Sequence, residues 1–101
     1  MIRAMQIAFL LYDGFTSLDA VGPYDVLNRL PGAEAVFVAE QAGPVETEAR
    51  SLSLLAERPL AEVTSPDILV VPGGMGNREL LEREPLLEWI RAVHETTTWT
   101  T

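Results

Sequence analysis

Residues 67–74, Asp-Ile-Leu-Val-Val-Pro-Gly-Gly, carry the strongest fold signal in the chain. Four consecutive branched apolar residues without alternation predict a strand buried on both faces, as in parallel sheets covered by helices. Pro72 cannot donate to a ladder, and two glycines permit backbone conformations closed to other residues, so the strand is predicted to end there. Ligands of open α/β sheets bind beyond the carboxyl ends of the strands. The turn at Gly73 and Gly74 is therefore the first candidate site.

The rest of the chain continues the alternation of strands and helices. Apolar or β-branched runs that predict strands are residues 6–12, 35–39, 45–57 (a short antiparallel excursion) and 96–101. Helical spacing occurs in residues 16–30, 60–63 and 78–95, the last in two pieces separated at Pro85. This order predicts an α/β fold with a mainly parallel sheet between helices.

Residues 16–30 are predicted to form the helix after the first strand. The apolar stripe of this helix consists of Leu18, Val21, Val26, Leu27 and Leu30. Thr16 or Ser17 can cap it, and Asp19 lies in the first turn, where a carboxylate is favoured. Pro23 leaves two alternatives. Either the helix continues through Pro23 and kinks around Asp19, four residues back, or it begins at Pro23 and Asp19 lies in the preceding loop.

Composition and charge exclude several functional classes. The chain has 101 residues, enough for one domain or part of one, and its net charge is −8 from 15 acidic and 7 basic residues. That charge argues against nucleic acid and against anionic membrane surfaces as partners. With no cysteine and one histidine, neither a metal site nor a cysteine nucleophile is expected within these residues. The apolar N-terminus is too short to span a bilayer and no cleavage site follows it, so a cytoplasmic location is expected.

Two features could carry chemistry, and each has a purely structural alternative. Residues 73–76, Gly-Gly-Met-Gly, lack the G-x-G-x-x-G spacing and the G-K-[ST] ending of phosphate loops. They are either a tight strand-to-helix turn or a pair of backbone donors facing a developing negative charge. Asp19 is either a solvated carboxylate or an acid held among Leu18, Ala20 and Val21, since apolar surroundings favour the protonated carboxyl.

The chain ends within its last predicted strand, residues 96–101. We expect that these residues are the N-terminal half of a longer domain. An edge strand of threonines around Trp99 also favours aggregation. The 101 residues alone are therefore expected to be inactive and largely insoluble.

Two motifs together resemble the ThiJ/PfpI superfamily, and most of all its isonitrile hydratase branch. Residues 18–27, Leu-Asp-Ala-Val-Gly-Pro-Tyr-Asp-Val-Leu, are similar to the L-D-x-x-G-P-x-[DE]-V-L signature, and residues 67–74 to the D-x-[LI]-x-V-P-G-G strand and turn. The resemblance covers essentially the whole chain. It implies a flavodoxin-like three-layer sandwich, usually a homodimer. Residues 1–101 would be the N-terminal half of a single ThiJ/PfpI-like (class I glutamine amidotransferase-like) domain.

The resemblance also implies a reaction: water adds to a small isonitrile to give an N-substituted formamide, without cofactor or metal. The family's cysteine nucleophile follows a strand that resembles residues 99–101, so it is expected just beyond this chain, in the C-terminal half of the same domain. Asp19 matches the acidic residue beside that cysteine and would protonate or hydrogen-bond the intermediate. Because a thiolate beside an ionised carboxylate is unfavourable, Asp19 is expected to be protonated at rest. Gly73 and Gly74 match the turn whose amides line the pocket.

Two alternatives use the same scaffold. Amidase-like domains of this kind stand at the front of AraC-type transcription regulators, as ligand-sensing and dimerising parts. A helix-turn-helix region after Thr101 would favour that role, whereas an S-x-C-x-G elbow would favour the enzyme. The other alternative is another ThiJ/PfpI hydrolase or a glyoxalase-, deglycase- or amidase-like enzyme, which would be expected to have Glu at the position of Asp19.

Overall fold

The chain folds around a parallel sheet. The computed structural model describes residues 5–74, 84–95, 97 and 99–100. Within them the elements are β1 (Met5–Leu10), α1 (Ser17–Leu27), β2 (Ala33–Ala39), β3 (Gly43–Glu46), β4 (Ser53–Ala56), β5 (Arg58–Pro59), a 3-10 turn (Leu60–Glu62), β6 (Ile68–Val70), α2 (Glu84–His94) and β7 (Trp99–Thr100). The described strands are ordered β5-β2-β1-β6-β7 with every neighbouring pair parallel, and β3 and β4 form an antiparallel hairpin.

Alternate residues of β1 pack on opposite faces of the sheet, as the pleat of a strand requires. Phe9 shares a core cluster with Tyr24 of α1, and the two rings meet edge to face with centroids 5.9 Å apart. Leu10 belongs to a second cluster with Trp89 and Val93 of α2. The sheet therefore lies between helices, which confirms the predicted α/β class.

The strand predicted at residues 67–71 forms as β6, with Ile68, Leu69 and Val70 all buried. It pairs with β1 on one side and β7 on the other, so it has no free edge. An unbroken apolar run is what such a position demands, because both faces of the strand lie against helices.

Helix α1 begins at Ser17 and continues through Pro23 to Leu27. The alternative in which the helix begins at Pro23 is wrong, and Asp19 lies in its first turn. Thr16 occupies the N-cap position, without the predicted side-chain capping hydrogen bond. Because proline has no N–H, Pro23 cannot donate the helical hydrogen bond to the carbonyl of Asp19.

The predicted apolar stripe of α1 is wrong for Leu18, Val26 and Leu30, which are exposed, and right for Leu27. Leu18 is 72% exposed and Val26 is 69% exposed, whereas Ala20 is the buried residue of the helix. The helix instead rests on the sheet through Tyr24 and Leu27, which pack partly buried against the cluster around β1. The aromatic ring of Tyr24 supplies the contact area that aliphatic spacing alone assigned to other positions.

The second half of the chain largely agrees with its predicted elements where it is described. Strand β4, the 3-10 turn and β7 lie within the predicted segments, whereas β3 begins at Gly43, before the predicted 45–57, and β5 was not predicted. Helix α2 begins one residue before Pro85, and Trp89 is buried with its Nε1 donating to the carbonyl of Val63 at 2.8 Å. The first piece of the helix predicted over residues 78–95 lies outside the described residues. No helix in the described ranges is long and apolar enough to cross a membrane.

Candidate functional site

The turn after β6 is joined to the loop that leads from β1 into α1. The backbone N–H of Thr16 donates to the carbonyl oxygen of Gly73 at 2.7 Å. The hydroxyl of Tyr12 donates to the carbonyl oxygen of Pro72, also at 2.7 Å. Phe15 and Gly74 form an isolated antiparallel bridge between the same two segments. The β1–α1 loop thus holds the glycine turn at the carboxyl edge of the sheet.

Position 74 requires glycine because the turn approaches the backbone of the β1–α1 loop closely. Its φ of +152° is unfavourable for other residues, and a Cβ on it would lie 2.5 Å from the carbonyl oxygen of Gly14 and 2.7 Å from Cα of Phe15. Both neighbours are backbone atoms of the β1–α1 loop and cannot swing aside. The glycine therefore has a packing reason as well as a conformational one.

The structure places the carboxylate of Asp19 directly beside Gly73. An ideal Cβ built on Gly73 would lie 3.2 Å from Oδ2 of Asp19, so the carboxylate lies over the α carbon of the turn. These residues are 54 positions apart in sequence, and the pairing of β1 with β6 brings them together. Asp19 and the glycine turn, the two predicted site features, are adjacent, and their chemical roles stay predictions.

An open cleft of about 440 Å³ runs between the first turns of α1 and the end of β6. Its lining residues are Leu18, Asp19, Gly22, Pro23, Val70, Val71 and Gly73. Leu18, Pro23 and the two valines give the lining its apolar surface, and the Asp19 carboxylate and backbone atoms give it a polar surface of similar extent. Such a cleft has room for a small molecule with both an apolar and a polar part.

The sequence left two alternatives for the surroundings of Asp19, a solvated carboxylate or an acid held among Leu18, Ala20 and Val21. In the described part of the chain the side chain of Asp19 is exposed, as is that of Leu18, whereas Ala20 is buried. Consecutive residues of a helix point in different directions, so these neighbours in sequence do not enclose the carboxylate.

Tyr12 is the residue of this region that sequence reasoning missed. It is 6% exposed, its ring packs edge to face on Phe15, and its hydroxyl bonds to the turn. Burial, together with the nearby carboxylates of Asp19 and Glu48, raises the pKa of the Tyr12 phenol above its ordinary value. The phenol therefore remains a neutral donor. The sequence did offer one indication of this role, because Tyr12 is an aromatic residue with a polar hydroxyl at the end of the apolar run 6–12.

The β3–β4 hairpin supports the loop from its other side. The N–H of Glu48 donates to the carbonyl of Phe15 at 2.9 Å, and the N–H of Gly14 donates to the carbonyl of Glu46 at 3.0 Å. At the surface, Nη1 of Arg50 lies 3.1 Å from Oδ1 of Asp13. The loop is consequently held between the hairpin and the glycine turn.

His94, the one histidine of the chain, lies apart from this site. It is the last residue of α2, is exposed, and has Nδ1 2.8 Å from Oγ1 of Thr100. Met75 and Gly76 lie outside the described residues. Across the ranges that are described, no group of three or more His, Cys, Asp or Glu side chains could hold a metal ion.

Residues 5–101 match the profile of the DJ-1/PfpI family. Among individual proteins, an isonitrile hydratase from Pseudomonas putida is 38% identical over 89 residues, which make up 88% of this chain and 39% of that protein. The match thus covers most of this chain but less than half of the hydratase.

Solved structures of similar fold agree with this match. A ThiJ/PfpI family protein from Pseudomonas syringae superposes with a TM-score of 0.91 at 26% identity, over 98% of this chain and 41% of that one. Oxidised DJ-1 from Toxoplasma gondii gives a TM-score of 0.73 at 22% identity, over 87% of this chain and 49% of that one, and shows the fold alone. The chain spans less than half the length of each of these relatives.

Proposed function

Because the chain belongs to the DJ-1/PfpI family, we propose that the full gene product is an isonitrile hydratase-like enzyme that converts R–N≡C and water into an N-substituted formamide. The substrate is a small molecule, and no cofactor or metal takes part. Asp19 is the acid of the site, the amides of Gly73 and Gly74 line it, and the nucleophile is a cysteine outside these 101 residues.

One observation carries the proposal: the Asp19 carboxylate lies against Gly73 in a cleft that is also lined by Leu18, Pro23 and two valines, in a chain that is 38% identical to an isonitrile hydratase. An isonitrile has an apolar R group and one reactive carbon. The apolar walls suit the R group, and the acid and the turn lie at the carboxyl edge of the sheet, where ligands of open α/β sheets bind.

The proposed chemistry balances without an external reagent. The thiolate forms a C–S bond to the terminal carbon while the proton of Asp19 passes to that carbon, which gives a thioimidate. Water then adds across the C=N bond, its oxygen to carbon and one proton to nitrogen. Cleavage of the C–S bond releases the thiolate and the formamide, and the remaining proton of the added hydroxyl returns to the Asp19 carboxylate.

The glycine turn contributes electrostatically to the same steps. Negative charge develops on the substrate when the thiolate adds, and backbone N–H groups placed in advance stabilise such charge at little reorganisation cost. Gly73 has no side chain between its backbone and the cleft. A larger residue there would also displace the carboxylate of Asp19, which lies 3.2 Å from the Cβ position.

The test is an assay of the full gene product with cyclohexyl isocyanide. Asp19→Asn should lower turnover by about 10²- to 10⁴-fold, the usual contribution of a positioned acid. Asp25→Asn is the matched control, since Asp25 is an exposed carboxylate of the same helix outside the cleft lining, and its turnover should be unchanged. Unchanged turnover in Asp19→Asn would remove Asp19 from the mechanism.

The same assay separates the enzyme from its alternatives. Absence of turnover by the wild-type gene product would contradict the proposed function. Binding of an isonitrile without turnover would favour the ligand-sensing role, and hydrolysis of an amide or removal of a glyoxal would favour the other enzyme classes. A cytoplasmic location is proposed as well, and fractionation of the producing cells tests it.

A further inference from the structure

The carbonyl groups of Pro72 and Gly73, at the start of the glycine turn, both accept hydrogen bonds from the β1–α1 loop. Tyr12 Oη donates to Pro72 O, and the backbone N–H of Thr16 donates to Gly73 O, each at 2.7 Å. One donor is a side chain and the other is backbone. Substitution can therefore remove the first bond without touching the second.

Because the peptide unit is planar, the hydrogen bonds to the carbonyls of Pro72 and Gly73 also fix the directions of the N–H groups of Gly73 and Gly74. The carbonyl of one residue and the N–H of the next belong to a single planar unit, and in a trans peptide they point in opposite directions. No cis peptide occurs among the described residues. The bond from Tyr12 to the carbonyl of Pro72 therefore directs the N–H of Gly73 away from Tyr12, and the bond from Thr16 does the same for Gly74.

Tyr12 is well anchored for this task. Its side chain is 6% exposed, and its ring lies edge to face on Phe15 with centroids 6.5 Å apart. A buried ring has little freedom to withdraw its hydroxyl. The phenol also stays protonated, because burial and the carboxylates of Asp19 and Glu48 raise its pKa.

We propose that Tyr12 is a positioning residue, which sets the direction of the Gly73 amide through the carbonyl of Pro72 and so prepares that amide to face charge on the substrate. The catalytic effect of Tyr12 rests on the proposed isonitrile chemistry. Its effect on the direction of the Gly73 amide does not depend on that chemistry. Tyr12 acts through the turn and not by touching the substrate, since it is not among the residues that line the cleft.

The matched pair of variants is Tyr12→Phe and Tyr24→Phe in the full gene product. Each removes one phenolic oxygen and keeps the ring. The ring of Tyr24 packs on Phe9 and Phe37, with centroids 5.9 and 5.2 Å away, on the face of the sheet that carries α1. Tyr24→Phe therefore reports the effect of losing a hydroxyl without loosening the turn.

The first measurement is made without substrate and is independent of the reaction. In Tyr12→Phe, the ¹³C signal of the Pro72 carbonyl and the ¹H–¹⁵N signal of Gly73 should both shift, and amide exchange at Gly73 should change. Tyr24→Phe should leave both signals in place. Shifts in Tyr12→Phe no larger than those in Tyr24→Phe would overturn the positioning role.

The second measurement separates positioning from general stability. With cyclohexyl isocyanide, Tyr12→Phe should lower kcat by about three- to tenfold, the equivalent of one hydrogen bond, while KM changes less than twofold. An unchanged kcat, or equal changes of kcat and KM in both variants, would overturn the catalytic consequence. If wild-type protein shows no turnover, the proposed function fails while the magnetic resonance result still decides the orientation.

Discussion

At the scale of single residues, the site depends on how closely backbone segments approach. Gly73 allows the carboxylate of Asp19 to lie over the turn, and Gly74 allows the turn to touch Gly14 and Phe15. At Gly74 the contacts are with backbone atoms that cannot move aside, whereas at Gly73 the contact is with the end of the Asp19 side chain. Substitution of Gly74 should consequently have a larger effect than its size suggests.

Comparing Gly74 with Gly43 separates the steric contact with the β1–α1 loop from backbone strain, because both glycines have positive φ but only Gly74 has the contact. Both have positive φ, +152° and +133°, but a Cβ on Gly43 would meet nothing within 4 Å. Gly43→Ala should lower the free energy of unfolding by about 1–3 kcal/mol from backbone strain alone. Gly74→Ala should lower it clearly more, because its Cβ would also lie 2.5 Å from the carbonyl oxygen of Gly14. Urea unfolding of the full gene product measures both, and equal losses would contradict the contact.

Tyr12 makes a separate prediction about alkaline pH. At neutral pH, Tyr12→Phe should lower the free energy of unfolding by about 1 kcal/mol through loss of a buried hydrogen bond. The pKa of Tyr12 is raised in the folded state, so the unfolded chain loses its phenolic proton first, near pH 10. Wild-type protein should therefore lose stability relative to the variant as pH rises through and above about 10. Urea unfolding at pH 7.5 and 10.5 checks whether the gap narrows, and a constant gap would argue against the raised pKa.

At the scale of elements, the helices differ in how they meet the sheet. In α2, Leu86, Trp89 and Val93 repeat at helical spacing and are all buried. In α1, Leu18 and Val26 face outward, and the helix packs through Ala20, Leu27 and the ring of Tyr24. The packing of α2 thus follows its aliphatic and aromatic spacing, whereas that of α1 follows its aliphatic spacing only in part.

Trp89 links α2 to the segment before β6. Trp89→Phe should lower the free energy of unfolding by about 1–3 kcal/mol, because the carbonyl of Val63 loses its buried donor at 2.8 Å. Chemical denaturation of the full gene product gives the value. Glu88→Gln, an exposed change on the same helix, should stay within about 0.5 kcal/mol. A loss in Trp89→Phe as small as that in the control would show that the hydrogen bond contributes little.

At the scale of the whole molecule, the sheet order places the end of β6 beside that of β1, with β7 on the other side. Asp19, Tyr12 and the glycine turn all lie beyond the carboxyl ends of β1 and β6. The strand that the resemblance associates with the nucleophile, residues 99–101, pairs with β6 through Trp99 and Thr100. The acid, the turn and the proposed cysteine would therefore meet at one edge of the sheet.

Assembly is a property that the family resemblance addresses, since it implies a homodimer. The exposure of Leu18, Val26 and Leu55 does not by itself indicate a partner, because single apolar side chains are common on protein surfaces. From the resemblance, the full gene product is proposed to be a homodimer, with a mass of two chains by light scattering after size exclusion. A single-chain mass at micromolar concentration would contradict this.

Much of the fold was predictable because burial leaves a local pattern. Unbroken apolar runs predicted β1 and β6. The orientation of α1 was only partly predictable from aliphatic spacing, since Tyr24 and Ala20 pack inward beside Leu27 while Leu18 and Val26 are exposed. The surroundings of Asp19 were left open by the sequence, and the described structure shows its side chain exposed.

The sequence alone determined the alternation of strands and helices and the glycine turn after a buried strand, whereas the structure decided that Asp19 lies in the first turn of a helix. The alternation and the turn follow from patterns within a few residues of one another, such as side-chain periodicity and the conformational limits of glycine and proline. Only the tertiary structure decided that Asp19 lies against Gly73, that Tyr12 bonds to Pro72 across 60 positions, and that Gly74 fits beneath Gly14. Those contacts depend on which strands pair and in what register, and no local pattern in the chain records that choice.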